Sequence, residues 1–169
     1  MATGPRYSVP YKRKRENKTN YNKRLSAVKS VNPRLIVRKT NFRMIAQLIK
    51  FEEAGDKTLI SISNVNLKDY GYENAPKNIV TSYLVGYLIG KLALKNKIKA
   101  AVLDLGLNIN TKGNRIFAVL AGAVKSGLKI PYDEKVFPSA ERLQGKHIKG
   151  FDSKIIEKVI ANIDAKVKA

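Results

Sequence analysis

Cysteine is absent from this chain. That removes disulfides, thiolate chemistry and zinc knuckles together, and it suits a reducing compartment. Histidine occurs once, at His147, so a Cys–His pair is excluded and any Ser–His–Asp triad would have to use that one ring. Neither GxxxxGK followed by Ser or Thr nor GxGxxG occurs, which removes the common nucleotide-phosphate loops. Long apolar runs are missing too. The longest uncharged apolar stretch, 78–90, falls short of the ~20 residues that span a bilayer, and the opening MATGPRY has no apolar signal core. A soluble, intracellular protein is expected, with no membrane partner. Acid is scarce: 13 Asp and Glu stand against 33 Lys and Arg, a net charge of +20 with a pI near 10.2. Such an imbalance points to a polyanionic partner.

The excess is concentrated at the front. Thirteen Lys and Arg residues, against Glu16 alone, lie in residues 1–43. The densest part is RYSVPYKRKRENKTNYNKR, with Arg6, Lys12, Arg13, Lys14, Arg15, Lys18, Lys23 and Arg24, interleaved with Tyr7, Tyr11 and Tyr21. No apolar periodicity runs through it, so on its own it cannot offset its ordering entropy. A nucleic acid would change that, because cations release counterions from phosphates while tyrosine faces and arginine planes stack on unpaired bases. A solubilising or nuclear-import tail is the plainer alternative. Anionic lipid is a third, but the arm has no apolar face to insert. With 169 residues and 44% hydrophobic content, the rest fits one domain. The division read here is a basic RNA-binding arm at 1–31, a core at 32–130, and a C-terminal extension at 131–169.

Leu25 to Lys29 reads as a helical turn, broken by Asn32-Pro33. Arg34 to Thr40 and Met44 to Phe51 read as strands around a turn at Asn41-Phe42-Arg43. The second strand is apolar on both faces near its middle, so one side is not freely solvated. A turn at 53–57 leads to a third strand, Thr58 to Ser63. The period then becomes helical from Pro76 to Asn96, with Pro76 in the first turn and Asn96 as a left-handed cap. Gly86 and Gly90 lie four apart on one face, which suggests close approach to a sheet. Ala100 to Leu105 is a continuous apolar strand, Gly106 to Gly113 a loop, and Asn114 to Gly127 a second helix stopped by Gly127. Ser139 to Leu143 is a short helix. A last one, 152–168, has Asp152 as its N-cap, and its stripe of Ile156, Val159, Ile160, Ile163 and Val167 can dock on its own domain or on a protein partner. The order β-β-β-α-β-α implies an α/β fold: a mixed four-stranded sheet, an antiparallel meander plus one parallel strand joined by a right-handed crossover, covered by helices.

Cationic and polar residues cluster in two loops. Lys39, Thr40, Asn41, Phe42 and Arg43 sit at the first hairpin with Arg38 just before it. Asn108, Asn110, Thr111, Lys112, Gly113, Asn114 and Arg115 sit after the fourth strand at a helix N-terminus, where amides, a dipole and two cations suggest a phosphate cradle; a solvated loop is the alternative. His147, in GKHIKG, reads as a surface or RNA-contacting residue. A nuclease-like sheet would gather carboxylates around metal ions, yet Asp104 stands nearly alone, and Arg34, Arg38 and Lys39 occupy the first strand. Asp104 is better read as an acceptor that anchors the following loop. Neither catalysis nor a cofactor is expected.

Four separated segments, GPRYSVPYKRKRENKTNYNKRL, PRLIVRKTNFRMIAQLI, LDLGLNINTKGNRIFAVLAGAVKSGLKIP and FPSAERLQGKHI, closely resemble the archaeal branch of the universal large-subunit ribosomal protein family eighteen. The match covers residues 2 to 148. The resemblance implies the same β-β-β-α-β-α body and a structural role in the large ribosomal subunit. It implies binding to 5S ribosomal RNA, its attachment to 23S ribosomal RNA in the central protuberance, and contact with neighbouring proteins including ribosomal protein five. No small-molecule substrate is implied. Carried over by motif, the arm matches through Arg6, Tyr7, Tyr11, Lys12, Arg13, Lys14, Arg15, Lys18, Thr19, Tyr21 and Arg24. The first hairpin matches through Arg38, Asn41 and Arg43, and the second loop through Thr111, Lys112, Gly113 and Arg115. Asn17 stands where family members often have glycine, a change that tolerance of left-handed backbone accommodates. The tail beyond Gly150 is less family-like.

Overall fold

The structure is a computed structural model and describes residues 4–73 and 75–168; the first three residues of the arm lie outside the described part. The arm carries two helical pieces, α1 (Lys12–Arg15) and α2 (Tyr21–Val28). Three strands come next, β1 (Arg34–Lys39), β2 (Met44–Glu52) and β3 (Gly55–Ser63). After a 3-10 turn at Asn64–Tyr70 come α3 (Ile79–Lys95), β4 (Val102–Asp104) and α4 (Arg115–Lys125), and the chain ends through α5 (Ala140–Leu143) in α6 (Lys154–Lys168). The sheet order is β3-β2-β1-β4, with β4 parallel to β1 and the other pairs antiparallel. This is the expected mixed sheet.

Strand alternation divides the sheet into two unlike faces. Leu35, Val37, Met44, Ala46, Leu48, Ile60 and Ile62 point into one core with Leu84 and Leu88 of α3 and Ile116 and Leu120 of α4. Ile156, Val159, Ile163 and Val167 of α6 join the same core, so the terminal stripe docks on its own body. The register puts Arg34, Ile36, Gln47, Ser61 and Asp104 on the opposite face. Among the described residues, no helix of the core covers that face. Arm residues Arg13, Lys18, Thr19 and Arg24 share one concavity with it, and Ile49 is buried there, which accounts for the second apolar side of β2.

Several local expectations need correction. The strands β2 and β3 run on to Glu52 and Gly55 and leave a two-residue turn instead of 53–57. A bulge between Leu48 and Ile49 leaves Leu59 without a register partner. Helix α3 starts at Ile79 because the Asn78 side chain accepts from the Thr81 amide at 2.7 Å, so Pro76 precedes the helix. The left-handed residue at its end is Lys97 (φ 60°), one place beyond Asn96. The glycines of α3 approach a helix, not the sheet. A Cβ on Gly86 would lie 1.9 Å from the Val119 carbonyl oxygen, and one on Gly122 of α4 would lie 2.0 Å from the Tyr83 carbonyl oxygen. The cost of two helical glycines is thereby exchanged for direct backbone contact between α3 and α4. The arm is also more helical than its composition suggests. The Asn20 side chain accepts from the Lys23 amide at 3.1 Å, and α2 begins at Tyr21 instead of near Leu25.

Candidate nucleic-acid interface

The C-terminal ends of β1 and β4 lie side by side because the two strands are parallel. The first hairpin and the loop after β4 therefore leave the sheet at the same end, as ligand-binding loops of α/β sheets commonly do. Two concavities open there, and Lys39 lines both.

The larger one, about 660 Å³, lies between the arm and the open face of the sheet. Arg13, Lys18, Thr19 and Arg24 line it from the arm, Arg34, Arg38 and Lys39 from β1, and Asp104 to Asn108 from the end of β4. Arg34 is 3% exposed. Its Nη1 donates to Asp104 Oδ2 at 3.2 Å, and its Nη2 lies 2.8 Å from Asp56 Oδ2, an ion pair without hydrogen-bond alignment. Its Nε has no acceptor among the described residues. Arg24 Nη2 donates to the same Asp56 oxygen at 2.9 Å, which ties the arm to β3. Asp104 Oδ1 accepts from the Gly106 amide at 2.8 Å, the loop-anchoring role expected for it. Both carboxylates are thus committed to arginines. Among the described residues, no group of three or more His, Asp and Glu is placed to hold a metal ion, so the geometry gives a metal-dependent nuclease no support.

Outside the lining of this concavity, the arm presents Tyr7 and Tyr11 to solvent, with the Tyr11 and Tyr21 rings 5.4 Å apart. Lys12, Arg13, Lys14 and Arg15 occupy the single turn α1, all exposed. Four adjacent like charges on one turn repel one another, and phosphates would relieve that. Asn17 holds the left-handed backbone (φ 49°) that ends the turn, as its place opposite a family glycine implies. Arg13 Nε donates to Thr19 Oγ1 at 2.9 Å, and Lys18 pairs with Glu16 at 2.8 Å. Arg6 and Lys23 are exposed. Among the described residues no carboxylate lies within ion-pair distance of Arg6, the α1 cations, Lys23, Arg38, Lys39 or Arg43.

At the hairpin tip the Thr40 Oγ1 accepts from the Arg43 amide at 2.9 Å. That closure leaves Asn41 exposed and Phe42 86% exposed, a bare ring among cations. Beyond β4, Asn110, Thr111 and Lys112 are exposed, beside the apolar tips Leu107 and Ile109, which no motif singles out.

The smaller concavity, about 410 Å³, is lined by Lys39, Lys77, Gly113, Asn114, Arg115, Arg142 and His147, among others. The expected phosphate cradle at 110–115 is only partly realised. Asn114 Oδ1 accepts from the amides of Ile116 and Phe117 at 2.8 and 3.0 Å, and the Gly113 amide donates to the Val136 carbonyl at 2.9 Å. Those amides are committed within the protein, because an asparagine N-cap satisfies them first. Side-chain cations remain. Lys112 lines neither concavity. Sequence reasoning singles out neither Lys77 nor Arg142, because each stands far from its partners in the chain; Arg142 lies within the family-like FPSAERLQGKHI, which by itself assigns it no contact.

Comparison with known proteins gives a family and two close relatives. The family described as "Ribosomal large subunit proteins 60S L5, and 50S L18" matches residues 5–101 and 94–133. The chain is 45% identical to the large ribosomal subunit protein uL18 of Methanoregula boonei over 170 residues, covering 99% of this chain and 98% of that one. It is 43% identical to the protein of the same name from Methanoculleus marisnigri over 165 residues, covering 98% and 94%.

Proposed function

Since the chain belongs to the family of large-subunit ribosomal proteins that takes in 60S L5 and 50S L18, we propose that its basic arm and rim loops bind 5S ribosomal RNA. It is a component of the large subunit of the cytoplasmic ribosome and a structural protein, not an enzyme. In this reading it helps attach 5S to 23S ribosomal RNA in the central protuberance, beside neighbouring proteins that include ribosomal protein five.

One observation carries the reading. Cations from the arm and from β1 line a single concavity whose acidic lining residues among those described, Asp56 and Asp104, already serve Arg24 and Arg34, while the nearby Glu16 serves Lys18. The surplus positive charge there has no internal partner, which is what a phosphate backbone would supply. The arm cations and tyrosines from Arg6 to Arg24 track the strand, and Arg38, Lys39 and Arg43 take phosphates. Asn41, Asn110, Thr111 and Asn114 offer polar contacts, with Lys112, Arg115 and His147 completing the rim. Phe42 is placed to stack on an unpaired base. Filter binding near physiological salt should show clear preference for 5S ribosomal RNA over an unrelated structured RNA. Equal affinity for the two would end the specific claim.

A further inference from the structure

The smaller concavity brings together four cations and a histidine that start far apart in the chain. Lys39 comes from the end of β1, Lys77 from the approach to α3, Arg115 from the first residue of α4, Arg142 from α5, and His147 from the segment after it. No carboxylate lines the cavity, and none lies within ion-pair distance of any of the five among the described residues. Every acid–base pair that the structure shows lies elsewhere. Like charges gathered in a concave, partly desolvated site repel, and low-dielectric walls strengthen that repulsion.

The arrangement is also held in place. Arg115 Nη1 donates to the Lys77 carbonyl at 3.1 Å, and Lys77 Nζ donates to the Thr40 carbonyl. Lys77 thereby joins the α4 start to the first hairpin, which fixes two cations before any ligand arrives. The side chains of Arg142 and His147 make no hydrogen bond or ion pair among the described residues, so their donors are free to point at a guest. With the α4 amides already taken by Asn114, the side chains and not the helix end define the site.

We propose that this cavity is a second anion site that receives one backbone phosphate of bound ribosomal RNA, with Lys77 and Arg142 as its unassigned ligands. The proposal rests on the reading of the protein as an RNA-binding component of the large subunit. Arg142 offers a planar, bidentate fork, Lys77 and Lys39 are point charges, and the Arg115 guanidinium keeps donors beyond the one it gives to Lys77. Lys39, which lines both concavities, makes the site continuous with the arm-side surface. An RNA backbone held by the arm can therefore be gripped at a second point across the β1 end.

The test uses the full chain and the variants Arg142→Gln, Arg142→Lys and Lys77→Gln/Arg142→Gln, with an arm variant carrying Gln at 12–15. The probes are 5S and 23S ribosomal RNA transcripts from a related archaeon, titrated across salt concentrations, and inorganic phosphate alone. Arg142→Gln should melt like the native chain, because its guanidinium holds nothing internal. It should weaken binding to at least one transcript about tenfold, the loss of one charge-assisted hydrogen-bonded pair. The log–log salt slope should fall by about 0.7–0.9, one phosphate fewer. Arg142→Lys should recover part of the affinity. Unchanged affinity and slope for both transcripts in Arg142→Gln and the double variant, with the arm variant still impaired, would overturn this site and leave the RNA-binding reading intact. No transcript binding by the native chain would remove that reading itself. Stabilisation of the native chain by inorganic phosphate, absent in Arg142→Gln and accompanied by unaltered RNA binding, would mean a free-anion site and overturn the RNA assignment.

Discussion

A guanidinium as enclosed as that of Arg34 is costly unless its charge is answered. Asp104, on the neighbouring strand, answers from inside the sheet, and Asp56 answers from the start of β3 while also holding Arg24 of the arm. The two acids are not equivalent, since the Asp104 side chain is 11% exposed and that of Asp56 is 26% exposed. Asp104→Ala should therefore destabilise by about 3 kcal/mol, the cost of leaving a buried charge half-paired. Asp56→Ala should cost about 1 kcal/mol, nearer to an exposed pair. Chemical denaturation of both variants checks the order, and a larger loss for Asp56→Ala would show that water does not reach that pair. At this scale the sequence was informative about kind and poor about company. The run of arm cations, the Asn41–Arg43 turn and the anchoring role of Asp104 were all legible, because each depends on residues close in the chain. The alliance of Arg34 with Asp56 and Asp104 spans three strands. The gathering of Lys39, Lys77, Arg115, Arg142 and His147 spans most of the protein. Neither can be read before the register and the crossover are known.

Helix α6 shows how an element whose residues signal only amphipathicity acquires a specific seat. Its apolar side enters the common core, and its polar side is matched to α3 and the 3-10 turn. Tyr87 Oη donates to the Asp164 carboxylate at 3.0 Å, Lys91 Nζ pairs with that carboxylate at 2.8 Å, and Asn162 Nδ2 donates to the Tyr70 carbonyl at 3.0 Å. The Asp164 hydrogen bond holds the Lys91 ammonium above its ordinary range, and burial does the same for the Tyr87 phenol, with Asp164 adding to it. Both folded-state values lie above the unfolded ones. The stability they contribute is therefore complete below the unfolded values and is lost as pH rises through the folded ones. The melting-temperature gap between the native chain and Asp164→Asn should stay constant through neutrality, below the ordinary range of both groups, and shrink as pH rises through their raised folded values. A gap undiminished once both groups have titrated would mean that Asp164 acts otherwise than through Lys91 and Tyr87. The sequence located α3, α4 and α6 well because their apolar stripes and stops are local signals. It misplaced what the α3 glycines face, since periodicity reveals a close approach but not whether a sheet or a helix arrives.

For the whole molecule, the distribution of charge matters more than its total. Residues 4–19 carry six of the basic side chains, yet every hydrogen bond and ion pair that the structure shows for them stays within the arm. Their ring contact with the remainder of the chain is Tyr11 against Tyr21. The firm anchors come later, through Arg24 to Asp56 and the burial of Ala27 in α2. The body thus folds around its own core and carries residues 4–19 as a leader that meets it chiefly across an open, basic cleft. Removing residues 1–19 should leave the melting temperature within about 1–2 °C, because surface segments without internal partners contribute little to stability. It should nonetheless weaken ribosomal RNA binding strongly, and the log–log salt slope should decrease by about 0.7–0.9 for each phosphate no longer neutralised. Parallel melting curves and salt titrations of the truncated and full chains separate the two effects. A truncated chain that melts much earlier would show the leader to be part of the core. One that binds with an unaltered slope would show that the body alone neutralises the phosphates.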